Sequence, residues 1–364
     1  IVMANEFTKQ ETVAWSKMCA YAEDKLSMLN AVKVDTENAV TMARSNPDNT
    51  YWIPQPNVML TNGNGRDQTS SFQNVTQLSV PVSINRSRTA PWTMEVFQAR
   101  DPMRFENQVK AAIDRVASDI NSAIVQTVCS QATQVVKRTN APGTFADIDA
   151  CRNIFDIQGY DSMTDRYIGI CSQDSGGIVG DLANRQDLTP SLTADAYKVG
   201  KLNGVDGFYV TRMGYTDRVG AAAGTGLTIN TTTAAGNFLI PKSRLNSGSI
   251  SANFDNRYQQ ITISSTTGVV AGDSFTIAGI NAVNLIAQNQ DTNIKKDTGQ
   301  LKTYRVMEVV NGTQLIISPA IISGQGGTDA EKQYQNCVNT APVTNAAITF
   351  LNTRATNINP FWIK

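Results

Sequence analysis

The run Asp174-Ser175-Gly176-Gly177 has the composition of a nucleophilic serine loop, and the chain begins Ile1-Val2. The chemistry would be that of a serine protease. A serine hydroxyl is a weak nucleophile until a base takes its proton. The sequence contains no His, so no Ser-His-Asp triad, Cys-His pair or imidazole zinc ligand can form. The run reads instead as a turn after a strand.

Other spacings lead to the same place. Gly200, Gly204 and Gly207 in VGKLNGVDG do not match GxGxxG, and no Lys-Ser pair follows to hold a phosphate. They read as turns flanking a strand. Asp147, Asp149 and Asp156 lack the ligand order of an EF-hand, and Asp161 and Asp165 read as turn formers. The five cysteines, Cys19, Cys129, Cys151, Cys171 and Cys337, include no CxxC pair. They read as reduced, structural thiols of a cytosolic setting. Trp52, Trp92, Phe97 and Phe105 read as anchors in a core or subunit contact rather than as a stacking platform for bases. We therefore expect no catalytic residue, no metal ligand and no cofactor.

Composition points the same way. The 364 residues suggest two or three domains, and 41% apolar residues suffice for real cores. Only 17% are charged, against a usual value near ~25%. Asn, Thr, Gln, Ser and Gly supply the polarity. Such a surface suits large buried contacts, because few ions need desolvating. Lys plus Arg and Asp plus Glu number 31 each, and the densest basic spots are only Lys137-Arg138 and Lys295-Lys296. That argues against sequence-specific nucleic-acid binding. No apolar run approaches the ~18 residues of a membrane-spanning helix, and IVMANEFTKQ is not a signal peptide. Met3-Ala4-Asn5 looks like an ordinary start.

The elements that must carry these residues follow from periodicity. Residues 11–45 have helical spacing, stopped by SNPDN. Residues 51–86 read as a long two-stranded loop around a glycine-punctuated tip. Leu78, Val80, Val82 and Ile84 alternate, and Pro81 keeps that strand at an edge. Asp101-Pro102 is an N-cap followed by Pro at the first helical position. Phe105, Val109, Ile113, Val116, Ile120, Ile124 and Val128 then form one apolar stripe. The helix runs toward Asn140-Ala-Pro-Gly143, about 50 Å at ~1.5 Å per residue. Residues 145–219 read as α+β: a helix closed by Gly159, a strand DRYIGIC, and a strand GFYVTRM. AAAGTGLTINTTTAAG (221–236) is a candidate linker. Strands then recur at YQQITIS, SFTIAGI, KTYRVMEVV and TQLIISPA, the last two joined by Asn311-Gly312 as a type I′ hairpin. They read as a small antiparallel barrel or sandwich. The polar stretch 287–300 reads as mobile.

This order of elements resembles the major capsid protein of tailed bacteriophages with the Hong Kong ninety-seven fold. NTYWIPQ, FQARDPMRFENQVKAAIDRVASDI, FDNRYQQITISSTTGVVAGDSFTIAGI, YRVMEVVNGTQLIISP and TNINPFW are similar to the coat proteins of the P-twenty-two type. The DNR…T…S-TTG…GD…AG pattern is the most specific of these. The resemblance implies an α+β fold with an N-terminal arm (1–50), an extended β loop with flanking strands (51–100), and a spine helix (101–144). It further implies an axial α+β domain (145–220), an inserted antiparallel β-barrel domain (221–350), and a return segment (351–364). The loop Pro241–Phe254 would reach a neighbouring capsomer. Trp52, Arg66, Asp67, Phe72, Lys242, Arg244, Asp255 and Arg257 are the implied subunit-contact candidates.

The implied function is self-assembly, as pentamers and hexamers, into the icosahedral head of a short-tailed phage. Scaffolding and portal proteins are the implied partners. Packaged double-stranded DNA is touched non-specifically, and no membrane is involved. The protein would act in the virion after assembly in the host bacterial cytoplasm. Chains of this type return after the insertion to finish the central sheet; stopping at Lys364 is expected to leave that sheet unpaired, the mark of an incomplete sequence. The alternative is a β-module adhesin or tail binding protein.

Overall fold

The structure is a computed structural model. It describes residues 50–61, 79–83, 88–93, 101–137, 143–160, 166–184, 204–213, 222–230, 257–289, 294–323, 332–340, 342–351 and 362–363, with Val32, Thr69, Phe72, Gln73 and Glu95 between them. The helical reading of residues 11–45 lies outside the described residues.

Strands β1 (Thr50–Pro54) and β2 (Ser79–Ser83) pair antiparallel, with Trp52 opposite Pro81. They form a two-stranded ribbon that joins neither of the other sheets. Segment 88–93 then runs beside the long helix α1 (Pro102–Gln131). Arg88 Nε donates to Asp119 Oδ2 at 2.8 Å, and the Trp92 and Phe105 rings meet edge-on at 5.8 Å. The N-cap of α1 is as expected: Asp101 Oδ1 accepts from the Met103 amide at 3.1 Å.

Two expectations for α1 are corrected. The helix ends at Gln131, with Ala132 in extended backbone, rather than near Asn140. The six residues after it are not helical, because they bond to a strand from elsewhere in the chain. The buried line is Val109, Ile113, Ala117, Asn121, Val125 and Cys129. Beyond Ile113 it lies one residue off the predicted stripe, leaving Val116, Ile120, Ile124 and Val128 half-buried.

The α+β part is built on a four-stranded sheet of order β13 (Trp362–Ile363), β3 (Tyr167–Cys171), β5 (Phe208–Met213) and β4 (Gly204–Val205). Helix α2 (Phe145–Gln158) starts on a reciprocal capping box between Thr144 and Asp147, and it ends on Gly159 at φ 80°. Strand β3 (Tyr167–Cys171) leads directly into α3 (Ser172–Asn184), so DSGG is helical and not a turn. Ser175 is fully buried. Asp174 accepts from the Gly143 amide at 2.8 Å and Asp181 from the Phe145 amide at 3.2 Å, so α3 carboxylates hold the start of α2. Strand β5 (Phe208–Met213) lies parallel to β3 and is entered from β4 (Gly204–Val205). The turn between them is Asp206-Gly207, with φ 54° and 83°, which is the type I′ geometry. Ile148, Ile168, Ile170, Ile178 and Phe208 fill this core. Strand β13 (Trp362–Ile363) pairs antiparallel with β3. The expectation of an unpaired central sheet is therefore corrected at that edge.

The remaining β strands form their own unit. Strands β6 (Gln259–Thr262), β7 (Ser274–Asn289), β8 (Ile294–Val309) and β9 (Gln314–Ser318) pair antiparallel in the order β7-β8-β9-β6, and β12 (Ile348–Phe350) joins β7. Short β10 (Ile322–Ser323) and β11 (Cys337–Val338) pair in parallel with each other, and β11 also pairs with β7. Bridges Ile229–Ile263 and Thr228–Ala347 carry the pairing from the β6 side back to the β12 side, so it runs in a closed circuit. Residues 227–230 thus belong to this core and are not linker. Tyr304, Phe275 and Phe350 face one another across β8, β7 and β12, with centroids 5.7 and 6.0 Å apart. Ile229, Ile261, Ile263, Ile277, Val306 and Ile317 pack around them.

Two further readings change here. The stretch 287–300 is mostly strand, with Asn289 opposite Ile294 and Gln288 opposite Lys295; residues 290–293 lie outside the described residues. Asn311-Gly312 joins β8 to β9 without type I′ geometry, since neither residue has positive φ. Val310 and Gln314 close the turn at 3.0 Å, and Asn311 Oδ1 accepts from the Thr313 amide at 2.9 Å. The side chain thereby replaces the backbone conformation that the dipeptide would otherwise need.

Candidate functional site

The chemistry of this molecule is concentrated where three bodies meet: the extended loop, the ends of α1 and α2, and the β7–β8 face of the circuit. Each contact is built from backbone groups that a helix or ribbon leaves unpaired.

The end of α1 is held by β8. Thr303 Oγ1 donates to the Thr133 carbonyl at 2.6 Å, and the Val135 amide donates back to it at 3.3 Å. Arg305 donates to the Ala132 carbonyl at 3.0 Å and to the Gly272 carbonyl at 2.7 Å. Burial lowers the Arg305 pKa; Cys129 and Asp273 oppose that shift. The end of α2 is held by β7, where Asn284 Nδ2 donates to the Ile157 carbonyl at 2.8 Å. Gln134 and Gln158 exchange amide hydrogen bonds at 2.9 and 3.1 Å, tying the two helix ends together. The extended loop docks on the same face. Gln288 accepts from the Thr61 amide and donates to the Thr61 carbonyl, both at 2.9 Å. The Val58 amide donates to the Gln333 carbonyl at 2.9 Å.

Asp147, Asp149 and Asp156, singled out by sequence, have structural duties, and Asp161 and Asp165 lie outside the described residues. Asp147 caps α2. Asp149 accepts from Asn153 at 3.4 Å. Asp156 pairs with Arg152 at 3.2 Å and with buried Arg166 at 3.0 Å. Arg152 also pairs closely with Asp206 in the β4–β5 turn, and that contact raises its pKa. The Lys295-Lys296 spot splits. Lys295 is buried and donates to the Tyr334 carbonyl at 2.6 Å, its pKa lowered by burial, while Lys296 stays exposed.

At the centre of the junction lies a cavity of about 290 Å³. Its walls come from Gln55–Asn57, Thr133–Gln134, Tyr160, Arg257, Lys302, Ser318–Pro319 and Tyr334–Asn336. Burial raises the Tyr160 pKa. Lys302 is 5% exposed, and burial first, then the nearby charge of Lys295, lowers its pKa to about 8 against an opposing effect of Cys337. Periodicity did not single out Lys302; its only sequence signal is a cation inside a run of strand residues.

The predicted contact candidates separate. Arg257 stands at this cavity and stacks over Tyr258 at 5.1 Å. Trp52 sits in β1, and Phe72 is 85% exposed on the extended loop. Arg66, Asp67, Lys242, Arg244 and Asp255 lie outside the described residues, as does Phe97.

Comparison with known proteins adds family and relatives. The family model described as P22 coat protein, gene protein 5, matches residues 3–364. The chain is similar to the CUS-3 coat protein I-domain at 35% identity, over 35% of this chain and 96% of that one, with TM-score 0.24. It is similar to a Mycobacterium phage Che8 structure at 9% identity, over 78% and 83%, with TM-score 0.37. It is also similar to the capsid structure of the Cyanophage P-SCSP1u at 11% identity, over 84% of each chain, with TM-score 0.34.

Proposed function

Because the chain belongs to the P22 coat protein family and is a major capsid protein of a tailed phage, a component of the virion, we propose that its copies assemble as pentamers and hexamers into the icosahedral head of a short-tailed phage. Scaffolding protein guides that assembly in the host cytoplasm, a portal protein joins it, and the shell holds double-stranded DNA by non-specific contacts. The observation that carries this reading is the family match over residues 3–364. The alternative of an adhesin or tail binding protein loses its ground to the same match.

The extended loop supports it physically. A two-stranded ribbon is marginal by itself, and this one presents Ile53, Met59 and Phe72 to solvent, with Met59 59% exposed. We read it as lying along a neighbouring copy. Trp52, Arg66, Asp67 and Phe72 are its proposed contacts.

The unit from Leu227 to Phe350 is proposed to be an inserted barrel within residues 221–350. Two observations support that. It has its own core, and the chain enters it after β5 and leaves it before β13, two strands of one sheet. Lys242 and Arg244 on the loop Pro241–Phe254, with Asp255 and Arg257, are proposed to reach the next capsomer. DSGG, helical and with Asp174 and Ser175 buried, is assigned no part in this function.

Electron microscopy of the purified protein, alone and with its scaffolding partner, tests the proposal. Closed shells or isolated capsomers are the expected result. A persistent monomer at high concentration under both conditions would overturn it.

A further inference from the structure

Among the described residues, the cavity at the three-way junction sets a buried cation, Lys302, beside open space. Its walls carry two cations, Lys302 and Arg257, and no carboxylate. Lys302 makes no hydrogen bond or ion pair with any described residue, although it is 95% buried by the 5% exposure of its surface. An ammonium so enclosed, with no counter-charge on the protein walls around it, is disfavoured unless an anion joins it. The sequence could have placed an apolar residue here at no such cost. The remaining lining is neutral and includes Gln55 and Tyr160, with the Gln134 and Asn336 amides already donating to Gln158 and to the Ala320 carbonyl. A volume of about 290 Å³ exceeds the ~30 Å³ share of a single water several-fold.

We propose that this cavity binds a small oxyanion, with Lys302 as its principal counter-charge and Arg257 at its rim. The anion neutralises the lysine and joins the extended loop, the end of α1 and the β circuit at one point. The oxyanion has two possible sources, free phosphate or a carboxylate side chain from a neighbouring copy. The inference rests on the cavity of a single chain, and only the second source rests on the assembly reading.

Inorganic phosphate is the probe. Thermal unfolding of the unassembled protein is followed against phosphate concentration near pH 7, with chloride at matched ionic strength as reference. Specific binding stabilises in a saturable way, whereas exclusion of phosphate from the surface stabilises without saturating. We expect a saturable rise of a few degrees in wild type, lost in Lys302→Gln and kept in Lys296→Gln, the exposed neighbour of Lys295. If Lys302→Gln fails to fold, Arg257→Gln and phosphorus NMR line broadening of phosphate by the wild-type protein replace it. The same titration on assembled particles separates the sources. A saturable effect that persists in particles assigns the site to free phosphate, and one confined to the unassembled chain assigns it to a neighbour's carboxylate. No saturable effect in the unassembled wild type, or an equal effect in Lys302→Gln, overturns the proposal.

Discussion

Asn284 Oδ1 occupies the space that a side chain on Gly159 would need. A Cβ built on Gly159 would stand 2.6 Å from that oxygen, while the other end of the same amide donates to Ile157. The left-handed cap of α2 and the β7 strand are therefore fitted to each other. Gly159→Ala meets two penalties. The backbone at φ 80° costs a Cβ-bearing residue about 1–2 kcal/mol, and a displaced Asn284 forfeits a hydrogen bond of about 1 kcal/mol. Urea denaturation of the unassembled protein should show a loss near their sum, and a neutral substitution would contradict the contact.

The two glycine turns should respond in opposite directions. Gly207 has φ 83° and Gly312 does not have positive φ, and a Cβ at either would meet open space. Gly207→Ala should cost about 1–2 kcal/mol through backbone strain alone. Gly312→Ala should be neutral or stabilising by up to about 1 kcal/mol, since it restricts the unfolded chain. Equal effects in parallel melts would show that the β8–β9 turn has been misplaced.

Thr303→Val keeps the shape of the side chain and removes its hydroxyl. The Thr133 carbonyl and the Val135 amide both lose a partner. A cost of about 1–3 kcal/mol is expected, with faster amide exchange at Val135 than in wild type. Unchanged exchange there would mean that the α1 terminus does not depend on β8.

Lys302 makes stability depend on pH in a defined window. Its folded pKa, about 8, lies below the ordinary lysine value of 10.5, so the unfolded chain binds more protons between those values. Stability should therefore rise as pH climbs from about 8 toward 10. Lys295 and Cys337 are the charged neighbours that act on it. Above pH 10 the buried Tyr304, whose pKa is raised by burial, acts in the opposite direction. Lys302→Met should shrink the rise between pH 8 and 10 in phosphate-free buffer and leave the part due to Lys295, whose pKa burial also lowers. A mutant with the wild-type slope would assign the effect to another group.

Val125 is 2% exposed on the helix face that meets Tyr167. Val125→Asp should cost several kcal/mol, because it would bury a carboxylate among Ile124, Val128, Cys129 and Tyr167. Native circular dichroism and assembly by that variant would contradict the helix placement.

What the sequence showed and what it hid divide by locality. Asp101-Pro102, Gly159 and the alternation of β7 to β9 act over a few residues, so spacing revealed them. The end of α1 was hidden, because Ala132 and Thr133 are held by Arg305 and Thr303 from far along the chain. DSGG looked like a turn through its glycines, yet Asp174 is needed in the first turn of α3 to hold Gly143. The polar run 287–300 looked mobile because its strands are paired through backbone with few apolar side chains to announce them, and Gln288 is engaged with Thr61 of the extended loop. Asn311-Gly312 and Asp206-Gly207 are equivalent by composition, and only the second is type I′. Of the predicted contacts, Arg257 was found by likeness and lies at the cavity, whereas Lys302 needed the folded neighbours to show that it is buried.

The pairing of β13 with β3 has a kinetic consequence. Trp362 meets Gly169 only after everything between them has been synthesised, including the whole β circuit. Until then β3 carries an open edge, and open edges recruit strands from other chains. Contacts so distant in sequence form slowly. A growing polysome of this protein should thus hold many chains with an uncapped sheet, and it is at that edge that premature association between nascent copies would begin.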